Sequence, residues 1–161
     1  MSTWLRLTLV TLSVGGGFAG LAAIVDAMCG PAAQGVATAA IFVGFLSVFL
    51  FVLIAGLLLV QNPRRVTPMI VALALQVPII SSPVIAYRLI SGLNVSAAVS
   101  EGNLVFSYRF GSFAQFNYLQ QLPFALGVNF VPLALLIATV ITTPRRRRES
   151  VAIPEPPSTA E

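Results

Sequence analysis

The sequence has no histidine and no lysine, a single cysteine, and only five acidic residues among 161. Without imidazole, histidine-ligated haem, histidine proton relays and most zinc or copper sites are excluded. One thiol, Cys29, excludes an internal disulfide. The carboxylates are scattered, three of them in or beside the C-terminal tail, and no nucleophile with its base, paired acids or metal-ligand cluster can be assembled from the pattern. The glycine run "GGGFAG" lacks the preceding strand and following lysine of a phosphate-cradling loop. No cofactor and no enzymatic activity are expected. Charge is scarce altogether, at 9% of residues, where soluble domains carry about a quarter. Hydrophobic residues make up 57%, so the expected medium is a bilayer. The exclusive use of arginine among the nine basic residues points to a GC-rich bacterial genome.

Four apolar runs reach the roughly 20 residues that a helix needs to cross a ~30 Å hydrocarbon core. They cover residues 4–27, 35–60, 66–90 and 122–143. The expected fold is therefore an all-α integral membrane protein, with a four-helix transmembrane domain over residues 1–143 and an Arg-rich, then disordered, tail over 144–161. Arg6 precedes the first run, Arg64 and Arg65 lie between the second and third, and Arg145, Arg146, Arg147 and Arg148 follow the fourth. Arginine-rich short segments stay cytoplasmic, so both termini are expected inside, in a multi-pass protein of a bacterial inner membrane. An arginine at mid-membrane costs ~2.5–3.5 kcal/mol, which makes these clusters topology anchors that also meet anionic lipid. Nucleic acid is not an expected partner, because four adjacent arginines offer little surface and no interleaved aromatic platform.

Small residues mark close helix approach in lipid. Gly16 and Gly20 in the first run and Ala40 and Gly44 in the second have the right spacing and matching depth for a tight antiparallel hairpin. Phe42, Phe45 and Phe49 fall on one side of the second helix. The third run contains Pro78 and Pro83 near Gln76, and the fourth contains Pro132 near Asn129, so both are expected to kink around a polar intramembrane position. Asp26 and Arg88 lie near the outer ends of their runs, at one depth, as an ion pair would. Between the third and fourth runs, residues 93–110 alternate about the turn residues "SEGN", which predicts an outer β-hairpin with Phe106, Tyr108 and Phe110 on one face. The following "SFAQFNYLQQ" predicts a short interfacial helix.

An isolated hairpin is marginally stable in water, so its aromatic face needs cover. The expected function is that of a non-catalytic accessory or assembly subunit, binding other membrane proteins or itself through the Phe stripe and the hairpin. The alternative is a small oligomeric transporter or channel built on kinked third and fourth helices around Gln76 and Asn129. A weaker alternative is an envelope sensor whose hairpin binds an outside ligand.

Overall fold

The computed structural model of the chain describes residues 1–29, 35–118 and 122–143. Proline-free apolar sequence forms α1 over Thr3–Cys29 and α2 over Val36–Gln61. At 1.5 Å per residue each is about 40 Å long. By length and composition, both are long and apolar enough to cross a membrane. Pro63 follows α2, and α3, Thr67–Ala74, carries Pro68 in its first turn, where the missing N–H costs nothing.

The second half of the chain overturns the all-α, four-span expectation. After α3 come six strands: β1 (Pro78–Ser81), β2 (Ile85–Ile90), β3 (Leu93–Ser100), β4 (Asn103–Phe110), β5 (Phe113–Tyr118) and β6 (Ala125–Asn129), and then α4, Phe130–Thr142. With 8 and 13 residues, α3 and α4 extend only about 12 and 20 Å, too short for a ~30 Å core. The cause is local. Beyond Ala74 the chain is dense in β-branched residues (Val77, Ile79, Ile80, Val84, Ile85), Pro78 cannot donate to a helix, and Pro83 breaks the segment at a strand-to-strand turn. A strand apolar on both faces reads, by hydropathy alone, like part of a spanning helix. The expected interfacial helix is likewise β5; residues 119–121 and the arginine tail, with Arg145, Arg146, Arg147 and Arg148, lie outside the described residues.

The strands form one antiparallel sheet in the order β4-β3-β6-β1-β2-β5. β3 and β4 pair from Leu93 opposite Phe110 to Ser100 opposite Asn103. Their two-residue turn has φ of 52° at Glu101 and 81° at Gly102, the left-handed conformations that such hairpin turns require. This hairpin does not stand alone, because β3 also pairs with β6 from Ser96 opposite Asn129 to Ser100 opposite Ala125.

Two hydrophobic clusters stack along the α1–α2 pair. At the end bearing Arg6 and Arg64, all four helices meet around Leu9, Val52, Ala55, Leu59, Met69 and Leu73. At the other end, Ile24 and Phe49 pack against Leu89, with Tyr87 and Ala114 of the sheet around them. The sheet therefore lies along the half of the helical hairpin farther from the arginines.

Candidate functional site

Alternation along each strand divides the sheet into two faces. Tyr87, Leu89 and Ala114 point to the helices, and through the ladder their face continues to Ile80, Leu126, Val95, Val99, Leu104, Phe106, Tyr108 and Phe110. The helices cover only the β2 and β5 side of it. Phe106, Tyr108 and Phe110 are 71%, 89% and 87% exposed, and among the described residues nothing pairs with the outer side of the edge strand β4.

The opposite face carries a polar cluster among apolar residues such as Ile79, Ala86 and Ile90. Arg88 on β2 donates to Ser107 Oγ on β4 at 2.9 Å and to Ser96 Oγ on β3 at 3.4 Å. In the strand order, β3 and β4 stand three and four strands from β2, which at ~4.8 Å per strand would be about 14 and 19 Å across a flat sheet. One side chain cannot span that distance, so the sheet curls around Arg88. The tight approach of β3 and β6 fits the curl: a Cβ on Gly127 would stand 2.6 Å from Ala98 Cβ. Asn94 Nδ2 donates to Ser96 Oγ at 3.2 Å and extends the cluster toward Arg109, its cross-strand neighbour. Arg109 lies 4.5 Å over the Phe113 ring. Burial, and then the charge of Arg109, hold the Arg88 guanidinium below its ordinary pKa. Among the described residues, neither arginine forms an ion pair with a carboxylate. Arg88 Nε, Asn94 Oδ1 and Asn129 Nδ2 are buried without a hydrogen-bond partner.

The residues singled out by sequence are distributed as follows. Gln76 and Asn129 both serve chain junctions. Gln76 Nε2 donates to Ala72 O at 2.9 Å while its Oε1 accepts from Ser91 N at 3.2 Å, tying the end of α3 to the β2–β3 turn. Asn129 Oδ1 accepts from Val131 N and Val95 N, both at 3.3 Å, capping α4 and bracing β3. Asp26 is exposed on α1, whereas Arg88 turns into the curled sheet, so the two do not meet. In α1, Gly17 abuts the Leu53 backbone of α2 and Gly20 abuts the Phe49 ring, while Gly16 abuts the β2–β3 turn at Ser91 and Gly92. A Cβ on Gly44 would meet nothing within 4 Å, and Ala40 is exposed. Phe42, Phe45 and Phe49 face the sheet, with Phe45 edge-on to Phe116 at 6.5 Å between centroids. Arg64 and Arg65 are exposed at the α2–α3 turn. Sequence reasoning missed Asn94, Ser96 and Ser107, whose alternation with apolar neighbours was the available signal.

No protein family's sequence profile matches the chain, and neither a curated protein nor a solved structure is similar to it.

Proposed function

We propose that the chain is a non-catalytic subunit of a bacterial inner membrane that binds other membrane proteins along the free edge and aromatic face of its sheet. The α1–α2 hairpin would be the anchor. Only 33% of each helix's apolar window is buried within the chain, so the remainder needs lipid or protein around it. Arg6, which donates to Val60 O at 2.9 Å, gathers with Arg64 and Arg65 at one end of the hairpin. The preference of arginine for the inner side assigns that end to the cytoplasm. An open cleft between Arg6, Arg64, Thr67 and Thr143 brings the end of α4 to the same side. The sheet then belongs to the outer half.

The observation that carries the partner reading is β4. Its outer N–H and C=O groups are unpaired among the described residues, and its side chains Phe106, Tyr108 and Phe110 are mostly exposed. A free, apolar strand edge is a template for another strand, and natural proteins that leave one uncovered usually pair it. The transporter alternative needs two kinked spanning helices, and those segments are each a short helix joined to strand.

The test is the native mass of the protein extracted in mild detergent, alone and as the double variant Phe106→Lys with Tyr108→Lys. The wild type is expected to carry associated subunits. The variant should lose them while its stability changes by less than ~0.5 kcal/mol, since both side chains are exposed. A wild-type bare monomer, or a variant with the same associated proteins, would contradict the reading.

A further inference from the structure

We infer that the concave face of the curled sheet is a phosphate-binding site, centred on Arg88 and Arg109. This inference is independent of the subunit reading. Two guanidinium groups share that face with no carboxylate to balance them among the described residues, and for the partly buried Arg88 that costs free energy unless an anion enters. The donors come from several strands: Arg88 from β2, Asn94 and Ser96 from β3, Ser107 and Arg109 from β4. Such a spread suits a tetrahedral anion with several acceptor oxygens better than a planar carboxylate, which one arginine fork satisfies.

A second, separate observation points the same way. Asn129 is 1% exposed, yet its Nδ2 has no partner among the described residues, and neither has Arg88 Nε. Asn129 stands opposite Ser96 in the ladder, on the concave face beside the cluster. Arg88 Nε and Asn129 Nδ2 are both unused donors, and buried donors are normally paired. Arg109 is exposed on β4. The exposed Phe106, Tyr108 and Phe110 of that strand offer an apolar surface next to it, so the phosphate of a lipid head group is one source and a free phosphate the other.

The full chain in neutral detergent is titrated calorimetrically with short-chain phosphatidic acid and, separately, with inorganic phosphate. At least one source is expected to bind with one equivalent per chain. Arg88→Gln and Arg109→Gln should each weaken binding about tenfold, the loss of one charge-assisted hydrogen bond. Arg64→Gln with Arg65→Gln, at the far end of the hairpin, should leave the Arg109-dependent binding unchanged. Binding of the lipid alone identifies the head group as the source; binding of inorganic phosphate with the same arginine dependence identifies a free anion. Arg109→Gln carries the test if Arg88→Gln does not fold, because its side chain is exposed. The inference is overturned if neither source binds, as it would be if buried water filled the unpaired positions, or if affinity depends on Arg64 and Arg65 and not on Arg109.

Discussion

Single atoms decide much of how this chain packs. Gly16 and Gly17 occupy places where a Cβ would overlap the backbone of the β2–β3 turn and of α2, whereas Gly44 faces open space. Gly17→Leu should therefore destabilise the protein by about 1–3 kcal/mol, the usual cost of overpacking. Gly44→Ala should be neutral or stabilising by about 0.5–1 kcal/mol, from the better helix propensity of alanine. Thermal melting in detergent checks both, and similar effects at the two positions would contradict the packing described. Tyr87 gives a pH dependence. Its hydroxyl donates to Leu75 O at 2.7 Å, and burial raises its pKa above 10.0. A folded-state pKa raised in this way stabilises the fold fully below the unfolded pKa of about 10 and ceases to do so as pH rises through the folded value. The melting temperature should fall in strongly alkaline solution, and Tyr87→Phe should flatten that fall while costing roughly 1 kcal/mol at neutral pH.

At the scale of elements, the first two helices were legible because length, apolarity and the absence of proline all point one way. The β3–β4 pair was legible because its alternation is regular and "SEGN" is a turn. Residues 66–90 were misread because a run such as "QVPIISSPVIAYRLI" satisfies a hydropathy window without having a helical period. Its prolines read as kinks in a helix, whereas Pro78 opens β1 and Pro83 lies in the β1–β2 turn. β6 was hidden for a related reason: its pairing with β1 and β3 joins segments far apart in sequence, and no local pattern records such a partner. The concave cluster depended on that long-range curl and was equally invisible. The hinge that the sequence placed at Asn129 is a strand-to-helix junction. Asn129→Ala removes the cap of α4 and the brace to Val95 together, so it should cost about 1–2 kcal/mol in a melting or denaturant experiment. A change within a few tenths of a kcal/mol would show that the junction holds without the amide.

The whole molecule is a helical hairpin about 40 Å long, buttressed at its arginine-bearing end by two short helices and along its other half by a curled sheet. The helix-packed flank of the sheet is the part of its apolar face that the chain covers for itself. The free edge and the polar concavity are what remain for other molecules. Each of these depends on β3 and β6 being neighbours in one sheet. Ala97 and Val128 are register partners there, and directly opposed residues on antiparallel strands have Cα atoms ~4.5–5.5 Å apart, a spacing that a disulfide bridges. The most direct measurement is oxidative cross-linking of the full chain carrying Ala97→Cys and Val128→Cys, with Cys29→Ser to remove the native thiol. The account predicts rapid, near-complete formation of an intramolecular disulfide in the membrane-inserted protein. Two thiols that stay reduced would contradict it, as expected if residue 97 lay in an outer loop and residue 128 within a spanning helix.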